Sequence, residues 1–400
     1  MLLELPKKLQ NLQGMAYQVA NEMLRPISRK YDLAEHEYPK ELDMVASMLD
    51  GMNAGDDDGV GAGEASKKKK RSDGSISNGS NMAAVVGIQE FCWGDTGLLL
   101  TLPRQGLGNA AIAAVANPEQ LKRFKGKWAA MAITEPNTGS DSASIRTTAK
   151  KDGDHYVLNG EKIFITSGAR AGVIVVWATL DKDLGRAGIK SFAVERGTAG
   201  MELIRLEHKL GIKASDTAAV MFTDCRIHKD NLLGNEEINV EKGFAGVMET
   251  FDNTRPLVAA MAVGLAKASL DQARQLLKNH LKQDYSTPIT NVSAVEAELY
   301  RMEADWEASR LLTIKAAWMA DNAMPNSKEA SIAKAKAGRV CNQITLKCVE
   351  LCASVGYSEN ELLEKWARDS KILDIFEGTQ QIQQLIVARR LLGKSSSELK

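Results

Sequence analysis

The spacing of the hydrophobic residues changes twice along this 400-residue chain, and this change limits the possible folds more than any other feature. The first third has apolar residues at helical spacing, the middle third has the alternation typical of strands, and the last third returns to helical spacing. A chain of this length usually forms two or three domains. We therefore predict a mainly α-helical protein with a central β domain, divided into an N-terminal helical domain (1–126), a middle β domain (127–235) and a C-terminal helical bundle (236–400).

Short patterns predict individual strands and helix breaks. HYVLNGEKIFIT places Asn159 and Gly160 between two β-rich runs, which predicts a hairpin turn. VIVVWATL, IKSFAVE and TAAVMFT predict further strands. In the last third we expect long helices that are interrupted near Pro288, Pro325 and Gly356.

Residues 51–80 form a low-complexity insertion in the N-terminal third. Glycine is frequent there, and the charges occur in blocks of one sign. Such a composition cannot bury enough apolar area to offset the entropy of ordering, so we predict a disordered surface segment. We interpret its basic run, Lys67 to Arg71, as a solvated charge block, with an anionic partner as the alternative.

Charge and cysteine content exclude several classes of protein. Lysine plus arginine (51) balance aspartate plus glutamate (51), so the chain lacks the positive charge expected of a nucleic-acid-binding protein. Its apolar runs are much shorter than the roughly 18 residues that a membrane-spanning helix needs, so we expect no membrane insertion. Five scattered cysteines and the lack of a signal-peptide pattern favour a cytoplasmic location.

Three apparent motifs do not support a binding site. The glycines at residues 106–111 resemble a dinucleotide fingerprint, but no βαβ pattern surrounds them and the next acidic residue is Glu119. The five histidines have no spacing typical of a metal site, so we predict no metal. Cys341, Cys348 and Cys352 share one helix face and are interpreted as small buried residues.

Two segments in the middle third carry groups suited to a planar ligand. MAITEPNTGSD has glycine and proline bends that can bring backbone amides, Thr134 and Ser140 close to a flat polar ring or a phosphate. In KIFITSG, Phe164 and Thr166 point to the same face of a strand, so an aromatic ring and a hydroxyl can contact one ligand.

A third segment, DIFEGTQQIQ, contains a candidate general base. Glu377 precedes a glycine at the start of the last predicted helix. Its neighbours Ile375 and Phe376 would partly desolvate the carboxylate, and desolvation raises the pKa of a carboxyl group toward the range useful for a base.

These segments, in this order, resemble the acyl-CoA dehydrogenase family. The resemblance runs from about residue 83 to 395 and includes NLLG (231–234), GFAGVMETFDNTRP (243–256) and RDSKILDIFEGTQQIQ. It implies an N-terminal helical domain, a middle β-barrel or β-sandwich domain and a C-terminal four-helix bundle, with FAD held between the last two.

The resemblance also assigns roles to individual residues. It implies flavin contacts from Met131, Ile133, Thr134, Gly139, Ser140, Phe164, Ile165, Thr166, Thr379, Gln380 and Gln381. It implies acyl-CoA contacts from Ser140, Asp252, Thr254, Arg255 and Gly378, and an acyl pocket lined by Leu99, Leu100 and Pro103. Leucines on a helix are also ordinary core residues, so the pocket assignment has a structural alternative.

The activity implied is flavin-dependent dehydrogenation of an acyl-CoA thioester to the trans-2-enoyl-CoA. Glu377 would remove the α proton, flavin N5 would take the β hydride, and an electron-transfer flavoprotein would accept the electrons. Two alternatives stay open: a mainly structural subunit of a hetero-oligomeric dehydrogenase, and an acyl-CoA oxidase that uses oxygen.

Three family features are altered in this sequence. The insertion replaces a Pro-Glu-x-x-Gly-Gly segment. The groups that a neighbouring subunit would lend to FAD are replaced by Lys282, Tyr285, Ser286, Ser293, Glu350, Ala353 and Ser354. We therefore expect either a homotetramer that binds FAD weakly or a heterotetramer with a homologous subunit that lends the missing groups.

Overall fold

A computed structural model describes most of the chain. The described residues are 4–53, 79–103, 106–238, 245–281, 292–394 and 398, and side chains are described outside 50–53 and 245–253. Nearly all of the predicted insertion lies outside these residues. Pro288 lies outside them as well.

In the described part of the chain, seven helices precede the sheet. They are α1 (Lys7–Val19), α2 (Ser28–Leu33), α3 (Glu41–Asn53), α4 (Ser80–Gly94), α5 (Thr96–Leu99), α6 (Leu107–Val115) and α7 (Pro118–Phe124). Local sequence explains where several of them start. Asn117 and Gln120 form a capping box around α7, with Pro118 in its first turn, and the Asp95 carboxylate accepts a hydrogen bond from the Leu98 amide to cap α5.

The central domain is one seven-stranded sheet that curls into a half-barrel. Its strands are β1 (Ala129–Ala132), β2 (Thr148–Asp152), β3 (His155–Thr166), β4 (Val173–Thr179), β5 (Ile189–Glu195), β6 (Met201–Leu206) and β7 (Thr217–His228). The order is β1-β4-β2-β3-β7-β6, and β5 pairs with β4 outside this path. The strand predictions for β4, β5 and β7 are confirmed.

The predicted hairpin at Asn159 and Gly160 is wrong, because both residues lie inside the continuous strand β3. The pairing with β7 shifts register there, so the dipeptide marks a β-bulge. Gly160 has a φ of +148°, and a Cβ would lie 2.5 Å from the Thr147 hydroxyl oxygen, which explains the glycine. The actual hairpin joins β2 to β3 through Gly153, whose φ is +59°.

Six α-helices follow the sheet in the described region. They are α8 (Ala245–Leu277), α9 (Ala294–Asp321), α10 (Ser327–Leu351), α11 (Ala353–Tyr357), α12 (Leu363–Ser370) and α13 (Gln380–Leu392). α8, α9 and α10 pack on one another, and α12 and α13 pack on α10. The predicted breaks near Pro325 and Gly356 are confirmed, and the three cysteines of this region are buried as predicted.

Helix α4 packs tightly against α8 although the two are far apart in the sequence. A Cβ at Gly264 of α8 would lie 2.0 Å from the Gln89 carbonyl oxygen of α4, so only glycine fits this crossing. Nearby, the Trp93 indole nitrogen donates to Asp271 at 2.8 Å. The N-terminal helices and the C-terminal bundle therefore share a core.

A buried ionic cluster joins the three parts of the chain. Lys365 of α12 contacts Asp95 at 2.7 Å and Asp369 at 2.5 Å, and all three side chains are at most 1% exposed. The remaining carboxylate oxygens accept hydrogen bonds from the amides of Leu98 and Ile212. Because Ile212 lies between β6 and β7, this cluster connects N-terminal helix, sheet and bundle.

The architecture confirms the predicted fold class of a mainly helical protein with a central β domain. The exact domain boundaries stay predictions. None of the described helices combines the length and the apolar character needed to cross a membrane.

Candidate active site

Glu377 lies in a backbone turn that few residue types adopt. A short 3₁₀ helix (Lys371–Asp374) precedes it, and Thr379 caps the start of α13 after it. Glu377 has a φ of +58° and Gly378 a φ of +90°. This left-handed conformation is strained for a residue with a Cβ, and such strain persists where surrounding contacts enforce it. We call Glu377 and Gly378 the Glu377 turn.

The carboxylate of Glu377 is held by a residue from a different helix. The Thr254 hydroxyl of α8 donates to Glu377 Oε2 at 2.8 Å. The structure thus brings together the predicted base and a predicted acyl-CoA contact that are far apart in the sequence. Burial raises the pKa of Glu377, while the hydrogen bond from Thr254 and the charges of Arg255 and Lys334 oppose that rise.

Two side chains that the sequence analysis missed fix the Glu377 turn. Lys334 of α10 is fully buried, and its Nζ donates to the Gly378 carbonyl at 2.7 Å. The Gln383 side-chain amide donates to the Glu377 carbonyl at 3.0 Å and to the Gly378 carbonyl at 3.1 Å. Burial lowers the pKa of Lys334 to about 8. The available sequence signal was a lysine on the same helix face as the buried Ala330 and Ala337.

A second missed pair fixes the predicted flavin loop. Glu135 forms a salt bridge of 2.8 Å with Lys162 of β3, and the two side chains are 7% and 0% exposed. The carboxylate also accepts hydrogen bonds from the amides of Arg146 and Thr147. Burial disfavours the charged form of Glu135, but Lys162 and these hydrogen bonds hold its pKa below the ordinary value. The loop after β1 is therefore anchored to β3.

The anchored loop lies beside an unusually exposed aromatic residue. Phe164 is 60% exposed on β3, whereas its neighbours Ile163 and Ile165 are buried. The Ile163 amide donates to the Thr134 carbonyl at 2.9 Å, which connects the loop to this part of the strand. The two segments predicted to bind a planar ligand are thus adjacent. The Phe164 ring beside them is open to solvent.

The other predicted residues differ in their exposure. Thr254 and Arg255 are buried beside Glu377, whereas Gly139, Ser140 and Gln381 are exposed. The Ile165 and Leu99 side chains lie in hydrophobic cores, which favours the structural interpretation of Leu99. Those that are partly exposed are Met131, Ile133, Thr134, Thr166, Leu100, Pro103, Gly378 and Thr379, while Gln380 is buried. The side chain of Asp252 lies outside the described residues.

Comparisons with known proteins bear on these segments directly. The C-terminal domain of acyl-CoA dehydrogenases matches residues 241–392, and their middle domain matches residues 130–225. The structure of butyryl-CoA dehydrogenase from Megasphaera elsdenii is 30% identical, with a TM-score of 0.83, and covers 98% of this chain and 100% of that chain. This chain belongs to the acyl-CoA dehydrogenase family.

Two further relatives extend the comparison. The mitochondrial short-chain specific acyl-CoA dehydrogenase of Bos taurus is 40% identical over 266 residues, which are 66% of this chain and 63% of the bovine protein. The match thus spans just under two thirds of that relative's length. A chain from a structural study of the electron transferring flavoprotein of Acidaminococcus fermentans is 30% identical, with a TM-score of 0.82, and covers 98% of this chain and 100% of that one.

Acyl-CoA dehydrogenases are FAD-dependent, and the residues of this chain fit that cofactor. The exposed ring of Phe164 offers a face to a planar ring, and the loop beside it is anchored to β3 by the Glu135–Lys162 pair. The buried Oε1 of Gln380 and Oγ1 of Thr138 have no hydrogen-bond partner among the described residues, and such buried polar atoms are rare without a ligand or water. Phe164, Thr134, Thr166 and Gln380 would hold the flavin.

The structure describes some of the positions at which this sequence differs from the family's FAD-binding groups. Lys282, Tyr285 and Ser286 lie outside the described residues. The Ser293 hydroxyl accepts a hydrogen bond from the Glu296 amide and caps α9, so that side chain already has a structural role. Glu350 is exposed and pairs with Lys347 at 2.6 Å, which offsets part of its negative charge. Ala353 and Ser354 lie at the start of α11.

Proposed function

We propose that this chain catalyses the α,β-dehydrogenation of an acyl-CoA thioester to the trans-2-enoyl-CoA, with Glu377 as the base. The observation that carries the proposal is the hydrogen bond from Thr254 to Glu377. It leaves Oε1 available to accept the α proton, because Thr254 contacts Oε2. FAD, when bound, supplies the acceptor of the β hydride at flavin N5.

The surroundings of Glu377 favour proton abstraction. Burial makes the carboxylate more basic than a solvated glutamate, and a stronger base removes a weakly acidic proton more readily. The positive charges of Arg255 and Lys334 lower the pKa of Glu377 in part, and this keeps the charged carboxylate accessible. Together these effects place the pKa of Glu377 above its ordinary value without locking the group in its protonated form.

The Glu377 turn also supplies a candidate donor for the thioester oxygen. Among the described residues, no acceptor lies within hydrogen-bond distance of the Glu377 amide. The carbonyls of Glu377 and Gly378 are held by Gln383 and Lys334, which fixes the direction of the peptide groups. A fixed amide pointed at the thioester carbonyl would stabilise the enolate-like charge that forms as the α proton leaves.

Glu377→Gln tests the proposal, because glutamine keeps the size of the side chain and removes the base. In protein supplied with saturating FAD, anaerobic bleaching of the bound flavin by an acyl-CoA should slow by about 10² or more. Glu359→Gln, at an exposed position, should leave the rate unchanged and serves as the matched control. Equal rates for wild type and Glu377→Gln would remove Glu377 from the mechanism.

The acyl group and the electron acceptor form a finer part of the proposal. Since the bovine relative is named as short-chain specific and the Megasphaera relative as a butyryl-CoA dehydrogenase, we propose a short acyl chain, and bleaching rates with butyryl-CoA and palmitoyl-CoA test this. We propose an electron-transfer flavoprotein as the acceptor. Rapid reoxidation on admission of air to the reduced protein would support an oxidase instead.

The assembly belongs to the proposal as well. Ser293 caps a helix and Glu350 carries a negative charge, so neither suits the pyrophosphate of a neighbouring subunit's FAD. We propose a heterotetramer with a homologous subunit that lends the missing groups, and we expect the chain alone to purify with little flavin. One tightly held FAD per chain in a pure homotetramer would contradict this. The retained Glu377 and Thr254 argue against a purely structural subunit.

A further inference from the structure

Glu35, His36 and His208 meet where the N-terminal helices contact the sheet. Glu35 and His36 lie in the turn after α2, and His208 lies in the segment between β6 and β7. The sequence analysis predicted no metal because the histidines have no metal-like spacing. The fold nevertheless brings His36 and His208 together, with ring centroids 5.1 Å apart.

The three side chains already form a compact set of ligand atoms. His208 Nδ1 lies 2.9 Å from Glu35 Oε2, and one ligand atom from each residue lies within 4.8 Å of the other two. The second carboxylate oxygen of Glu35 accepts a hydrogen bond from the Lys209 amide at 3.1 Å, which orients the carboxylate. Metal-ligating carboxylates are commonly held by such a second contact.

His36 has no structural explanation without a ligand. Both of its ring nitrogens are buried, and neither has a hydrogen-bond partner in the part of the chain that the structure describes. Its φ of +73° is in the left-handed region, and Arg170 donates to its carbonyl at 3.0 Å, so the backbone holds the ring in place. A buried imidazole that makes no hydrogen bond is costly, and coordination of a metal ion would use one of its nitrogens.

We propose that Glu35, His36 and His208 form a zinc site. Two imidazoles and one carboxylate are a ligand set that Zn²⁺ accepts, with water in the fourth position. Zinc bonds of about 2.0–2.1 Å in a tetrahedron place ligand atoms about 3.3 Å apart, which is less than the 4.8 Å limit seen here. The His208 side chain is 83% exposed and can rotate to close the difference.

Nearby positive charges limit the affinity of this site. Lys209, Lys213 and Arg170 lie close enough to act on Glu35 or His36. Arg170 is partly neutralised by Asp216 at 3.5 Å, and the Lys209 ammonium donates to the Ser215 carbonyl at 2.8 Å. We therefore expect micromolar binding, weaker than in closed structural zinc sites. Bound zinc would link the turn after α2 to the sheet.

Equilibrium dialysis of the full chain against Zn²⁺ at neutral pH, after treatment with a chelator, tests the site. We expect one zinc per chain in the micromolar range, and a melting temperature about 3 °C higher at a hundredfold excess of zinc over its Kd. His208→Ala and His36→Asn should each weaken binding at least tenfold. His208 is exposed and asparagine tolerates a positive φ, so neither change should unfold the protein.

His228→Ala is the matched control. His228, at the end of β7, is exposed like His208, pairs with Asp230 at 3.1 Å and stacks edge-on with His155, but it lies outside the proposed ligand set. Zinc binding should survive in this variant. Loss of binding in His228→Ala with retention in His208→Ala would overturn the proposal, as would wild-type protein that binds no zinc at about 0.1 mM. The acyl-CoA dehydrogenase activity plays no part in either outcome.

Discussion

Two buried lysines in the C-terminal half of the chain have opposite surroundings. Lys365 of α12 contacts two carboxylates, Asp95 and Asp369, at 2.7 and 2.5 Å. Lys334 of α10 donates to a carbonyl, that of Gly378. Burial opposes the charge of both, but the two carboxylates raise the pKa of Lys365 above its ordinary value, whereas burial lowers that of Lys334 to about 8.

The difference separates a lysine that stabilises the fold from one that adjusts the pKa of the proposed base. Lys365 is compensated by the two carboxylates of its own cluster, and its charge also helps to lower the pKa of Asp32 in α2, away from Glu377. Lys334 lacks a carboxylate at hydrogen-bond distance among the described residues, and its charge acts on Glu377 and Asp374. The role of a buried lysine is thus indicated by the groups that compensate its charge, and not by its burial alone.

The largest expected effect comes from Lys365→Met. The substitution leaves Asp95 and Asp369 buried with no positive partner, and removal of one member of a buried ion pair costs about 3–5 kcal/mol. The urea midpoint should fall accordingly, without a change in the pH dependence of flavin reduction. Lys371→Met, at an exposed position, is the control. A stability loss below about 1 kcal/mol would show that the cluster is not structural.

Lys334→Met should change the chemistry more than the stability. The Gly378 carbonyl keeps its hydrogen bond from Gln383, and methionine fills the space, so unfolding should change by about 1 kcal/mol or less. Loss of the nearby charge raises the pKa of Glu377 further. The rate of flavin reduction falls as pH drops through that pKa, so the acidic limb should move to higher pH.

The pH profile of the wild type supplies a second readout for Lys334. An inflection near pH 8, where Lys334 loses its proton, should be present in the wild type and absent in Lys334→Met. Lys336→Met, two residues along α10 and paired with Asp305 at 2.6 Å, should behave as wild type. Identical pH profiles for Lys334→Met and wild type would leave Lys334 with a packing role.

Thr254→Val should have the narrowest effect, because it should change the acidic limb of the pH profile and neither the stability nor the inflection near pH 8. The Thr254 hydroxyl stabilises the charged form of Glu377, so its loss should move the acidic limb upward by less than one pH unit, consistent with about 1 kcal/mol for one hydrogen bond. Thr254→Ser should restore the wild-type profile. The Thr254 hydrogen bond lowers the pKa of Glu377 more than the charge of Lys334 does, so a shift smaller than that of Lys334→Met would mean that the buried charge, and not the hydrogen bond, controls the base.

The sequence was sufficient for features that depend on local pattern. Helical and strand periods predicted the helix, sheet and helix order, while the choice of Glu377 as the base, made because a glutamate precedes a glycine at a helix start, stays a prediction. The hairpin prediction failed because the Asn159–Gly160 dipeptide is compatible with a β-bulge as well as with a turn. The pairing of β3 with β7 determines that it forms a bulge here.

Most of what surrounds the candidate base could not be predicted from local pattern. Lys334, Gln383 and Thr254 meet at Glu377 only after α8, α10 and α13 pack together. The Glu135 and Lys162 pair likewise depends on the loop after β1 lying on β3. A lysine on an apolar helix face was the available signal for Lys334, but such a pattern does not identify its partner.

The crossing of α4 and α8 at Gly264 has a consequence for how the protein is made. The Gln89 carbonyl can pack there only when residue 264 has left the ribosome, so α4 is synthesised long before its binding surface exists. Contacts between such distant residues slow folding. Until then the apolar faces of Val85, Val86 and Cys92 stay exposed, and we expect the nascent N-terminal helices to need a chaperone during synthesis.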